Sequence, residues 1–142
     1  MIYHILDKQT GENPSFPNLA IAAFLETQLG VYGDNKVDIL KCLDYVFEKG
    51  GLVILAEEGG YLAGAAVLNE TGMQSYIPEN ILVYIAVHEN QRGKGLGTQL
   101  MQKCLELAEG SIALHVEADN PAKKLYEKLG FTNKYLEMRL QR

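Results

Sequence analysis

The chain predicts an α/β (α+β) fold built on a mixed sheet, and three features carry that expectation. Leu52–Ala56 and Tyr61–Leu68 are β-type runs separated by the turn-forming EEGG, which reads as a hairpin. Ile81–Val87 is an unbroken apolar run, as expected of a central strand covered on both faces. From there strand-like and helix-like patterns alternate to the end of the chain.

Taken in order, residues 1–6 predict a short strand, followed by the turn cluster GENPS. Pro17 suits a first helical turn, and Leu19–Leu29 reads as an apolar helix stopped at Gly30. Asp34 is the expected N-cap of a second helix. Its apolar face is read as Val37, Leu40, Leu43, Val46 and Phe47, and Gly50 and Gly51 end it. After the hairpin, residues 69–80 read as a loop. A third helix is expected from about Gly95 to Ala108, with Leu96, Leu100, Cys104 and Ala108 in one stripe. Ile112–Ala118 alternates as a strand. Asp119 or Asn120 caps a last helix, Gly130 ends it, and Phe131–Leu140 reads as strand again.

The 142 residues fit one domain, spanning 1–142. Apolar residues make up 47% and charged residues 22%, an ordinary globular balance. No apolar run approaches the roughly 20 residues of a membrane span. The N-terminus has no basic and apolar leader pattern, so a cytoplasmic location and no membrane partner are expected. Cys42 and Cys104 lack metal-ligand spacing and are expected as buried free thiols, with no metal.

A net charge of −5 excludes a typical nucleic-acid binder. Its distribution is uneven. Residues 1–90 hold 4 Lys/Arg against 12 Asp/Glu, and residues 91–142 hold 9 against 6. The first part suits a cation and the second an anion.

The segment Val87–Gly97 (VHENQRGKGLG) joins the apolar strand to the third helix. Gly93, Gly95 and Gly97 leave main-chain N–H groups open to a phosphate, the helix start adds its dipole, and Arg92 and Lys94 add charge. Neither the Walker loop nor the dinucleotide fingerprint fits, because Thr98 stands where the latter needs glycine.

Here the sequence resembles the GNAT N-acetyltransferases. Their [RQ]-x-x-G-x-[GA] motif is met by Arg92-Gly93-Lys94-Gly95-Leu96-Gly97. A second signature is met by Asn120, Ala122, Leu125-Tyr126 and Gly130-Phe131. The resemblance is distinctive over residues 81–131. It implies a mostly antiparallel central sheet flanked by helices, with splayed fourth and fifth strands. It also implies acetyl-CoA as co-substrate, lying along the main chain of Ile85, Ala86 and Val87. The pyrophosphate would rest on Arg92–Gly97, with Asn120 on the pantetheine arm and Tyr126 as the acid that protonates the departing thiolate. The acceptor would be an amine of a small molecule or peptide, attacking directly. A homodimer is a further expectation of the resemblance.

Three positions depart from the family pattern. Ile81 stands where many members carry a basic glutamate, Tyr84 where an aspartate is frequent, and Glu89 where a proline commonly precedes the loop. Glu79, two residues before Ile81, is the candidate base, with Tyr84 ordering its water. Glu26, Asp34, Asp38, Glu70 and Glu79 give the expected acceptor side an acidic bias. The alternative reading is an acyl-CoA-binding sensor or complex partner without catalysis, kept open by Ile81 and opposed by Tyr126. His115 and Glu117 read as a surface pair, and His4 and His88 stand alone.

Overall fold

The structure is a computed structural model describing residues 1–142. Five strands form one sheet in sequence order: β1 (Ile2–Leu6), β2 (Gly51–Glu58), β3 (Tyr61–Glu70), β4 (Asn80–Val87) and β5 (Ile112–Leu114). The first four pair antiparallel, and β5 joins β4 in parallel. Helices α1 (Asn18–Leu29) and α2 (Lys36–Glu48) cover one face, while α3 (Leu96–Leu107) and α4 (Ala122–Lys128) cover the other. No helix is long and apolar enough to cross a membrane.

Local chemistry places these elements. Asn13 accepts the Ser15 and Phe16 N–H groups, and Glu12 accepts the Asn18 N–H at 2.8 Å, so the entry to α1 is held before the helix begins. Gly30, at φ +55°, ends α1. The cap of α2 is Asn35, whose side chain accepts the Asp38 N–H at 2.9 Å, and not Asp34 as expected. Asp34 has another partner, described below. The buried stripe of α2 is Ile39, Cys42, Leu43 and Val46. Val37 lies in the first turn and is exposed.

Gly59 and Gly60, both at positive φ, form the two-residue hairpin between Glu58 and Tyr61. Alternation along β2 sends Val53 and Leu55 toward α1 and α2, and Ile54 and Ala56 toward α3. Both cysteines are buried free thiols, as expected.

Three expectations need correction. The strand covered on both faces is β3, buried from Leu62 to Leu68, whereas in β4 buried Leu82, Tyr84 and Ala86 alternate with half-buried Val83, Ile85 and Val87. β4 has less cover because its neighbour β5 is short. Only Ile112–Leu114 of the expected 112–118 strand pairs, so His115 and Glu117 do not share a strand face and both are exposed. Phe131–Leu140 is not a strand. It has strand-like alternation but takes no ladder partner, and Leu136, Met138 and Leu140 are exposed.

Gly64, on β3, is required by packing. A Cβ there would sit 2.8 Å from Leu100 Cδ1 and 3.3 Å from the Ala86 carbonyl oxygen. Its absence lets α3 lie close against β3 and β4, and brings the Gly-rich turn to the end of β4.

Candidate active site

The site begins at a change of register. Leu82 pairs with Leu68 and Tyr84 with Val67, so Val83 is an extra residue that bends β4. Pairing with β5 stops at the same place, at Leu82 and Leu114. Beyond it β4 runs on for five residues paired with β3 alone, its other edge open.

The main-chain groups along that open edge follow from the ladder. His88 N–H donates to the Ala63 carbonyl at 2.8 Å. With the alternation of an antiparallel pair, Ala86 and Tyr84 also turn their N–H and C=O toward β3. Ile85 and Val87 turn theirs toward the gap between β4 and β5. Of the three expected residues, Ile85 therefore turns its N–H and C=O to the gap, Val87 turns its N–H there while its carbonyl accepts from Arg92, and Ala86 turns neither. The half-buried side chains of Ile85 and Val87 line its α3 and α4 side.

At the end of β4 the Gly-rich turn opens α3. Gly93 and Gly95 hold φ +77° and +83°, and nothing lies within 4 Å of the position a Cβ would take at either. Gly95 is the N-cap, so the N–H groups of Leu96, Gly97 and Thr98 have no helical acceptor. A helix start of this kind, with open space in front of it, has the chemistry to receive an anion. Gly97 faces Val87 and Leu125, which joins the turn to β4 and α4. Lys94 is exposed. Arg92 donates to the Val87 carbonyl at 3.3 Å and to Gln28 on α1, so its guanidinium is anchored beside the turn.

Asn120 lies just before α4 and Tyr126 within it. Asn120 Oδ1 accepts the Ala122 N–H at 2.9 Å and orders the start of α4, leaving its amide N–H groups for another partner. Tyr126 is buried with Leu82, Leu96 and Cys104 and meets Phe131 edge-on at 5.9 Å. Its hydroxyl takes no protein partner yet keeps solvent contact. Burial, then the negative charge of Glu117, pushes the phenol up to about 12, so it is a proton donor across the neutral range.

Glu79 is placed at the start of β4, before the strands part. Its carboxylate accepts the Ser111 N–H at 2.9 Å and the Ser75 N–H at 3.4 Å, tying the 71–79 loop to the entry of β5. These main-chain bonds, that of Ser111 foremost, hold it below the usual carboxylate range. It lines a groove of about 590 Å³ with Glu70, Met73 and Glu109, away from the Gly-rich turn. His88 lies in a different groove of about 440 Å³, between the rings of Phe24 and Tyr61. His4 bonds Glu57 at 2.9 Å.

Two connections that sequence reading missed close the α1–α2 face. Tyr84 OH donates to Asp34 Oδ2 at 2.5 Å, and Tyr32 OH donates to the Asp119 carbonyl at 3.3 Å. The residues of each pair are 50 and 87 positions apart, with no periodic signal to join them.

The Acetyltransferase (GNAT) family matches residues 18–131. Among solved structures, one described as a transcriptional regulator from Bacillus halodurans C-125 is similar with a TM-score of 0.73 at 19% identity, covering 99% of this chain and 100% of that one. An aminoglycoside acetyltransferase from an uncultured soil metagenomic sample gives 0.67 at 19% identity, covering 99% and 97%. A ribosomal-protein-alanine N-acetyltransferase from Brucella melitensis biovar Abortus 2308 gives 0.65 at 16% identity, covering all of both chains. At these identities the likeness speaks to fold. No curated protein matches the sequence. With the family match spanning both signature motifs and most of the fold around them, the chain belongs to the GNAT acetyltransferase family.

Proposed function

We propose that the protein transfers the acetyl group of acetyl-CoA to a primary amine of a small molecule or peptide by direct attack. The observation that carries this reading is the open edge of β4. It ends on a glycine-lined helix start with open space in front of it, and the same side of the sheet packs against Tyr126, whose hydroxyl takes no protein partner.

The residues present fit the co-substrate. An extended arm laid in the gap would pair with the main chain of Ile85 and Val87 as an added strand. Asn120 could donate to its amide carbonyls. The pyrophosphate would take the free N–H groups at the start of α3, with Arg92 and Lys94 beside it. An N–H of the open edge, aimed at the thioester oxygen, would hold the charge that develops there.

The acceptor reaches the gap from the α1–α2 face, since α3 and α4 close the other. The neutral amine nitrogen forms the new N–C bond, the C–S bond breaks, and the thiolate takes the proton of Tyr126. The second proton on nitrogen leaves and restores Tyr126 through solvent. Holding the amine beside the thioester supplies much of the rate. Glu79, already engaged by the Ser111 N–H, is a poor candidate for the base that the sequence assigned to it, and the acceptor's proton is read as leaving through water.

The test is to titrate acetyl-CoA by calorimetry and then follow CoA release with a panel of primary amines. Binding with amine-dependent release is expected. Binding without release for every amine would support the non-catalytic sensor instead.

A further inference from the structure

We infer that Asp34, held in place by Tyr84, is the docking point for a second positive charge on the acceptor, so that the protein acts on diamines and related polycations in preference to monoamines. This rests on the acetyl-transfer reading above and names its substrate class.

Tyr84 occupies β4 two residues after the point where β4 and β5 part. Its ring is buried against the α1–α2 core, opposite the face that carries Ile85, Val87 and Tyr126. Only its hydroxyl reaches the rim, where it donates to Asp34 Oδ2 at 2.5 Å. Burial, and then the bond to Asp34, raise the phenol far above its ordinary range, so it keeps its proton across the neutral range.

Asp34 itself is exposed, and none of the ion pairs in the structure includes it. Nearby Asp38 is shared with Lys41 at 3.5 Å, and Glu26 accepts the Lys36 N–H. Asp34 is thus a carboxylate with one oxygen fixed and the other free. The 30–35 segment that carries it is fastened again by Tyr32 to the carbonyl of Asp119, beside Asn120. The segment therefore spans from the β4 side to the β5–α4 side at the mouth of the gap.

A carboxylate fixed at this mouth attracts cations, but a nitrogen held there as ammonium cannot attack a thioester. The nitrogen that docks and the nitrogen that reacts must differ. An acceptor with two amines meets both needs, one charged at Asp34 and one neutral at the thioester. Tyr84 is a positioning residue in this scheme, acting through Asp34.

The experiment compares 1,4-diaminobutane with butylamine at saturating acetyl-CoA, in wild type, Asp34→Asn, Tyr84→Phe and the double variant, with calorimetric acetyl-CoA affinity and thermal melts as controls. Wild type is expected to favour the diamine by about tenfold or more in kcat/KM, mostly through KM, in the range of one charge-assisted contact. Asp34→Asn should bring that ratio close to one. Tyr84→Phe should lower it part of the way, and the double variant should be no lower than Asp34→Asn, because both act on one interaction. Acetyl-CoA affinity should hold throughout. A wild type that binds acetyl-CoA and shows no diamine preference, or a preference that survives Asp34→Asn, overturns this inference alone. Bound acetyl-CoA with turnover of neither amine also overturns it. Absence of acetyl-CoA binding by wild type overturns it together with the proposed function.

Discussion

The guanidinium of Arg92 donates to both oxygens of Gln28, the main-chain carbonyl at 3.0 Å and the side-chain carbonyl at 3.2 Å. Gln28 Oε1 also accepts the Glu89 N–H at 3.1 Å. The last turn of α1 thus clamps the strand-to-helix turn proposed to hold the pyrophosphate. Gln28→Ala should weaken acetyl-CoA binding a few-fold by loosening that turn. Arg92→Ala should weaken it more, losing the clamp and the charge together. Calorimetry on both variants checks the order, and an equal loss would mean that Arg92 acts through position alone.

Gly95 combines positive φ with open space. An Asp there tolerates the backbone at a cost of about 1 kcal/mol, yet sets a carboxylate where the pyrophosphate would rest. Gly95→Asp is expected to fold, as seen by circular dichroism, and to lose measurable acetyl-CoA binding. Retained affinity would move the cofactor site elsewhere.

Tyr126→Phe removes the proposed acid and little else, since the hydroxyl has no protein partner. We expect kcat to fall on the order of 10²-fold with acetyl-CoA affinity almost unchanged. Steady-state kinetics beside binding titrations measures both. A wild-type kcat, with chemistry limiting, would reduce Tyr126 to a packing residue.

Glu79→Gln discriminates a base from a structural tie. As a tie to Ser111, its replacement should lower the melting temperature slightly and leave the pH–rate profile where it was, because a glutamine carbonyl still accepts the N–H. A loss of kcat/KM near neutral pH that recovers at high pH would restore Glu79 as the base.

Alkaline pH should destabilise the fold. Burial pushes the Cys42 and Cys104 thiols up to about 12 from ordinary values near 9. Tyr126 is likewise pushed up to about 12 from 10. For each, the folded value lies above the unfolded one. The stability they contribute is complete below the unfolded values and is lost as pH rises toward the folded ones. Thermal melts from pH 8 to 11 should show a decline beginning near pH 9, and Cys104→Ala should make that decline shallower. A flat profile would refute the assignment.

The chemistry-bearing turn was legible because it is local. Arg92–Gly97 needs only small residues at alternate positions and a helix behind them, and six neighbours carry that message. The hairpin at Gly59–Gly60 and the stop at Gly30 were legible for the same reason, each resting on the φ of one or two residues. The edges of the helices were read less well. Asp34 and Asn35 are equally good caps by type; Asn35 caps the helix, while Asp34 meets Tyr84, on a strand 50 positions away.

The amino-acid order by itself thus determined the family, the order of elements through the last helix and the Gly-rich turn, since these depend on contacts within a few residues. Tertiary structure decided how far β5 accompanies β4, which main-chain groups of Ile85–Val87 face the gap, and which acidic residue meets it. Those depend on where pairing stops at Leu82 and Leu114 and on side chains that meet only after the sheet forms. The strand-like alternation of Leu136, Met138 and Leu140 carries the same lesson in reverse, for a strand exists only where another edge accepts its hydrogen bonds.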